Sequence, residues 1–283
     1  MSHLTLRSPQ PKSLDEWTET AHVFQDLVTL AMDTPCAVLK QSLLPSDALQ
    51  ADRQCAARSE IDAYANHLVK GDPDASGIQA GKALFTLGTD GIDFETIVPR
   101  WFAVRDQFRT TCDMTLSLAY GTGGYLETQL ITAVAAAEAM HEALRVDPPM
   151  PDDEFKALKK TLLDRVSRNR QQWLSDKLGQ NRHTLRQRLL HLAEVPVDEV
   201  MTELLPNPNA WADAAKKSRD LIAHGGKSNV DVQLMYAITE VTTAIIIVNL
   251  LYQLNIPAER MMYNLTNSGR LERAARLARE QWP

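Results

Sequence analysis

The run Ala244-Ile245-Ile246-Ile247-Val248, carried past Asn249 by Leu250-Leu251, constrains this chain more than any other feature. It has no polar face, so the element it forms must be covered on every side. Glu240, Thr242 and Thr243 precede it, and Gln253 and Asn255 follow. A membrane-spanning helix needs about 20 consecutive apolar residues. The run falls short of that and reads as the buried helix of a bundle, ending near Leu254. Ser228-x-x-Asp231 resembles a capping box that opens it, with Asp in place of the usual Glu.

The rest of the chain after Asp93 follows a helical pattern. Pro99 is placed in the first turn of a helix running to about Tyr120, because proline is tolerated there. Gly121-Thr122-Gly123-Gly124 separates it from a helix over roughly Tyr125 to Arg145, which Pro148, Pro149 and Pro151 break. A basic helix is expected from Asp152 to about Leu178, with Phe155, Leu158, Leu162, Val166 and Trp173 as its apolar positions. Shorter helices follow over Arg182 to Ala193 and Val197 to Leu205. Asn207 or Asn209 is available to cap a helix whose broad face holds Trp211, Ala214, Ala215, Ser218, Leu221 and Ile222, with Gly225-Gly226 as its stop. Pro257 leads into a short C-terminal helix and a basic tail, Arg270 to Arg279.

Before Asp93 the signals are mixed. Ser13 to Ala31 carries Trp17, Ala21, Phe24, Val28 and Ala31 at helical spacing. Ala37 to Leu44 and Lys82 to Leu87 suit short strands, and Ser46 to Leu68 a helix. The expected fold is therefore mainly α, with a small mixed α/β N-terminal region over residues 1–92 and a helical bundle over 93–283.

Three cysteines, Cys36, Cys55 and Cys112, show no CxxC spacing, so they support neither a disulfide framework nor a zinc site. The first 16 residues lack the apolar core of a signal peptide. A reducing cytoplasm is the expected setting, and no membrane partner is expected. The net charge of −6 argues against non-specific nucleic-acid binding by the whole surface. Its distribution says something else. Between Lys156 and Arg188 ten Lys and Arg face only Asp164 and Asp176, so 10 minus 2 leaves this segment at +8. Such a stripe can hold phosphates, and Arg165, Arg168, Arg170, Lys177, Arg182 and Arg186 are the candidate RNA-binding residues. A solvated helix face explains the same charges equally well.

Arg219-Asp220-x-x-x-His224 is the candidate catalytic element. Arginine engages two phosphate oxygens through its planar donors, and histidine suits proton transfer near neutrality. Five residues turn about 140° on an ideal helix, so the two side chains converge only if the helix ends at His224 or Arg219 reaches along it. Spacing alone decides little, because Arg186 and His191 share it. Complementing the carbonyl end of a helix is the plain structural alternative.

Lys217-Ser218-Arg219-Asp220-Leu221-Ile222-Ala223-His224 resembles the catalytic motif of HEPN domains, helical domains whose ribonucleases share Arg, a polar residue after it, and His a few positions on. The likeness is closest to the HEPN domain of ApeA-like antiphage proteins, where the motif precedes a long apolar helix as it does here. Val98-Pro99-Arg100-Trp101-Phe102, Tyr125-Leu126-Glu127 leading to Ala137-Glu138-Ala139-Met140-His141, and Trp17 through Phe24-Gln25-Asp26-Leu27 to Ala31 are also similar to that family. ApeA-like proteins carry a longer, strand-rich region before the equivalent of Trp17. A few residues precede it here, which sets functions assigned to that region apart from this chain.

The resemblance implies a metal-independent ribonuclease working as a homodimer on RNA, with Arg219 and His224 of both subunits around one composite site. Attack by the 2′-hydroxyl on the adjacent phosphate would be assisted by His224. Arg219 would stabilise the developing charge, and Asp220 would orient Arg219 or His224. No cofactor is implied. A silent HEPN module that binds RNA or nucleotide, and a helical dimerisation scaffold, are the alternatives.

Glu138-x-x-His141, repeated as Glu19-x-x-His22, has the spacing that puts two metal ligands on one helix face. A di-iron bundle needs a further Glu from each of two other helices, and Glu127 shares the helix of Glu138. An ordinary polar face or a buried hydrogen-bonded pair is the better account, and no metal site is expected. Gly121-x-Gly123-Gly124 lacks the preceding strand and the Lys-Ser/Thr of a phosphate loop.

Overall fold

A computed structural model of the chain describes residues 4–43, 61–63, 82–88, 92–121, 124–224 and 231–283. Among them twelve helices follow in order. These are α1 (Leu14–Met32), α2 (Phe94–Gln107), α3 (Arg109–Tyr120), α4 (Leu126–Ala143), α5 (Asp152–Asp164), α6 (Arg168–Leu178), α7 (Leu185–Glu194), α8 (Asp198–Leu204), α9 (Pro208–Ala223), α10 (Val232–Gln253), α11 (Ala258–Asn267) and α12 (Gly269–Gln281). Between α1 and α2, β1 (Ser42–Leu43) and β2 (Ile61–Asp62) pair antiparallel, Ser42 opposite Asp62 and Leu43 opposite Ile61. The fold is mainly α, as expected.

The apolar run sits in α10, which Asp231 caps by accepting from the Gln233 N–H; Ser228 and Gly225-Gly226 lie outside the described residues. The helix is long and apolar enough to cross a membrane by length and composition, yet the bundle buries most of it. It packs most extensively against α4 and α12, and also meets α7 and α9. Ile238, Val241, Ile245, Val248 and Leu251 are all enclosed. Asn249 is tolerated inside because its Nδ2 donates to the carbonyls of Ile245 and Leu192, at 2.9 Å each.

The N-terminal helix forms where predicted but presents a different face. Ser13 and Glu16 make a full capping box. The inward stripe is Val23, Asp26, Leu27 and Leu30, while Val28 is exposed. A polar residue can face inward because its partners are there. The Arg105 Nε donates to Asp26 Oδ2 at 3.0 Å, and the Tyr120 hydroxyl donates to Asp26 Oδ1 at 3.0 Å. Trp101 ties α2 to the same helix through Nε1–H to the Val23 carbonyl, 2.7 Å.

Several boundaries differ from expectation for identifiable reasons. Asp93 accepts from the Thr96 N–H and starts α2 before Pro99, which therefore lies inside the helix rather than in its first turn. Phe108 (φ −107°, ψ 30°) then divides the expected single helix into α2 and α3. Residues 82–88 form no strand. Their carbonyls are taken by side chains, Arg260 Nη2 on Ala83 and both Arg260 Nε and Asn264 Nδ2 on Leu84, which docks Ala83-Leu84-Phe85 into the core. The expected strand over Ala37 to Leu44 reduces to β1, and Ile61-Asp62 is strand where helix was expected; residues 44–60 and 64–68 lie outside the described residues.

Nor is the C-terminal basic stretch a tail. It is α12, buried along Leu271, Ala274, Ala275 and Ala278, and its arginines are engaged: Arg270 with Asp33, Arg273 with Glu240, Arg279 with Glu203.

Candidate functional site

Asn207 caps α9 by accepting from the Ala210 N–H at 3.1 Å, and Pro208 occupies the first turn, where its missing N–H is no loss. Trp211, fully buried, anchors the helix, with Nε1 donating to Thr242 Oγ1 of α10 at 3.3 Å. Ala212, Ala215 and Ser218 continue the buried stripe. Leu221, expected on that face, is 42% exposed because the helix packs through Ile222 instead. This rotation leaves Lys216, Arg219 and Asp220 at the edge of the buried stripe.

Arg219 Nη1 lies 3.3 Å from Asp220 Oδ1, and its Nη2 lies 3.6 Å from Glu138 Oε2 on α4. Lys216 Nζ meets Asp220 Oδ2 at 3.1 Å. Slight burial would push the Asp220 carboxyl up, but its hydrogen bonds and ion pairs with Lys216 and Arg219 hold it below the ordinary range. Glu138 also faces Arg188 at 3.8 Å, and Arg188 reaches Glu142 at 2.9 Å. The ionic chain Lys216–Asp220–Arg219–Glu138–Arg188–Glu142 therefore crosses α9, α4 and α7.

The helix ends at Ala223. His224 is its C-cap (φ −95°, ψ 11°), with its N–H donating to the Asp220 carbonyl at 3.1 Å, and it is exposed. Arg219, Asp220 and His224 thus share the last turn and a half of one helix. Asp220 meets Arg219. Among the described residues no contact joins the His224 ring to either of them within one protomer.

The basic segment is two helices, not one. Ser167 (φ −61°, ψ 145°) leaves the helical region and starts α6, and Gln171 Nε2 donates to the Leu163 carbonyl left free at the end of α5. No residue of α5 or α6 is buried, so the pair is an arm on the bundle. Arg165, Arg168, Arg170, Lys177 and Arg182 are exposed on or just after it. Arg186 is different. Its Nε is 2.7 Å from Asp213 Oδ1 and its Nη2 is 2.7 Å from Asn209 Oδ1, which occupies its charge within the fold.

Glu138 and His141 do not act as the pair their spacing offered. Glu138 is engaged by Arg188 and Arg219, while His141 faces His191 and His183. No local pattern marks that grouping, since His183 and His191 lie far along the chain on other elements.

Residues 131–260 match the Apea-like HEPN family, and residues 1–101 match ApeA N-terminal domain 1. The chain belongs to the ApeA-like HEPN proteins. No curated protein and no solved structure matches it at a significant level. The HEPN match takes in α5 to α10 with most of α4, and so contains Glu138, the basic arm, Arg219, Asp220 and His224. The N-terminal match corrects one expectation. The ApeA N-terminal region is represented here from residue 1, and Trp17 to Ala31 and Val98 to Trp101, read above as HEPN-like, fall within it.

Proposed function

We propose that this ApeA-like HEPN protein is a metal-independent endoribonuclease acting in antiphage defence, in the cytoplasm, on RNA. The observation that carries the reading is an exposed His224 closing a helix whose last turns hold Arg219 and an ionised Asp220, inside the HEPN match. His224 would move the proton to or from the reacting 2′-hydroxyl or leaving oxygen, and Arg219 would stabilise charge developing on the phosphate. Asp220 positions Arg219 in this reading, because of the two site partners it meets Arg219 and not His224. Since one protomer does not join His224 to Arg219, the composite site of two protomers is the arrangement that assembles the kit. Residues 93–283 act as the HEPN-like bundle in this account and residues 1–92 as the N-terminal region. Arg165, Arg168, Arg170, Lys177 and Arg182 on or beside the exposed arm guide the RNA, with a smaller part for Arg186.

The test is incubation of the purified protein with total RNA in EDTA, beside Arg219→Ala and His224→Ala proteins matched for fold and for mass by size exclusion. Cleavage by wild type and its loss in both variants is the expected outcome. Equal cleavage by the variants would overturn the assignment.

A further inference from the structure

Three imidazoles from separate elements converge beside the ionic chain. His141 lies on α4, His183 on the loop between α6 and α7, and His191 on α7. His141 Nε2 and His191 Nδ1 are 3.0 Å apart, with the rings stacked at 5.2 Å. The His183 ring stands edge-on, 4.4 Å from His191 and 5.5 Å from His141 between centroids. One ring nitrogen from each lies within 4.8 Å of the other two. Three nitrogens on a tetrahedral zinc, at about 2.0–2.1 Å each, stand roughly 3.3–3.4 Å apart. The His141 and His191 nitrogens, 3.0 Å apart, already stand near that spacing.

The chemistry also fits. Burial, reinforced by the neighbouring imidazoles and Arg188, pulls the His141 pKa down to about 4, and the same influences lower that of His183. Burial thus favours the neutral imidazole, the form with a lone pair to give, at both positions. Among the described residues the rings make one side-chain hydrogen bond, that between His141 and His191, while the Glu142 carboxylate acts on His141 and His183 through its charge. Arg188 is offset by Glu138 and Glu142, and its Nε donates to the His183 carbonyl, which holds that loop in place. His141 and His183 line an open pocket with Asn181, Glu142 and three arginines, Arg145, Arg182 and Arg188.

We propose that His141, His183 and His191 form a divalent transition-metal site of the zinc class, with its fourth position open to that pocket. Metal replaces the His141–His191 hydrogen bond, with each ring carrying its proton on the nitrogen turned away. The three imidazoles suit zinc, cobalt, nickel or copper better than the oxygen-seeking magnesium and calcium. The site is a clasp rather than a source of the cleavage chemistry. His183 follows α6 by a few residues, and Asn181 Nδ2 already donates to the Met150 carbonyl and Asp152 Oδ1 at the start of α5. A metal there pins the foot of the basic arm to α4 and α7.

The experiment titrates Co²⁺ alone into chelator-stripped, dialysed full-length protein and follows the visible absorption of low-symmetry cobalt, then displaces it with Zn²⁺. One cobalt per chain and full displacement are expected. His183→Ala, at a half-exposed position that the core does not need, should weaken binding by at least ~100-fold, the upper range for loss of even an outer partner. His191→Ala should do the same. Zn²⁺ should also slow hydrogen exchange across residues 152–184 in wild type and not in His183→Ala. Absence of the cobalt band in wild type, or an unchanged band in both variants, would overturn the site. Neither readout involves RNA, so the nuclease assignment stands or falls separately.

Discussion

Replacing Arg105 by Met tests the most unusual part of the packing, an ion-pair network inside the junction of α1, α2 and α3. Arg105 is 5% exposed and Asp26 is 1% exposed. The guanidinium donates to Asp26 Oδ2, to Asp113 Oδ1 and to the Arg109 carbonyl. Burial raises the Asp26 carboxyl above its ordinary value, against the pull of His22 and Arg105. Removing one partner of a buried pair costs about 3–5 kcal/mol, because the other charge is left uncompensated. The lower half of that range is expected, since Tyr120 still donates to Asp26 and Asp113 is half exposed to water. At roughly 2–4 °C per kcal/mol for a chain of this size class, Tm should fall by about 6–16 °C.

The sign of the pH dependence follows from the raised pKa. Ionisation of Asp26 opposes folding, so its contribution is most favourable below the unfolded carboxylate value and is lost as pH rises through the folded one. Without Arg105 the folded value rises further. The gap between variant and wild type should therefore widen from pH 4 to pH 7. Calorimetry across that range, with Asp26→Leu and the double variant, is the assay. The double variant should recover at least about 1.5 kcal/mol relative to the sum of the singles. Additive losses, or an Arg105→Met cost below about 1 kcal/mol, would refute the reasoning.

Trp211→Ala should destabilise by about 3–5 kcal/mol in denaturant titration, because the side chain is wholly buried and anchors the helix that carries the site; a loss under 1 kcal/mol would mean α9 is held elsewhere. Arg168→Ala with Arg170→Ala should lower RNA affinity and flatten its salt dependence by about one unit for each phosphate no longer neutralised, whereas Arg186→Ala, already paired with Asp213, should change the slope by much less. Equal effects in a salt-series binding assay would contradict the arm's role. Glu138→Gln frees Arg219 and should slow single-turnover cleavage about ten- to a hundredfold, while Glu142→Gln, which meets Arg188 alone of the two arginines, should stay within about twofold.

What could be read from the chain was local. The apolar run had to become a covered helix, Ser13 marked the start of α1, and Asn207 was one of two candidates to cap α9. The inward face of α1 was not legible, because Asp26 enters the core with Arg105 and Tyr120 as hydrogen-bond partners, 79 and 94 positions away. Lys82 to Leu87 looked like a strand from its composition, yet its partners are the side chains of Arg260 and Asn264. The motif Arg219-Asp220-x-x-x-His224 was visible, but Glu138's hold on Arg219 was not, and spacing pointed Glu138 toward His141 instead. The three-histidine cluster is the same lesson, since its members share no periodicity and meet only once α4 and α7 pack.

The central claim is that Arg219 and His224 cleave RNA by attack of its own 2′-hydroxyl. Analysis of the fragment ends formed in EDTA tests it most directly. Wild-type protein should leave 2′,3′-cyclic phosphate and 5′-hydroxyl ends, a substrate with a single 2′-deoxy nucleotide at the cut should resist, and His224→Ala should yield no such ends. Fragments ending in 3′-hydroxyl, or cyclic-phosphate ends formed equally by His224→Ala, would contradict the account.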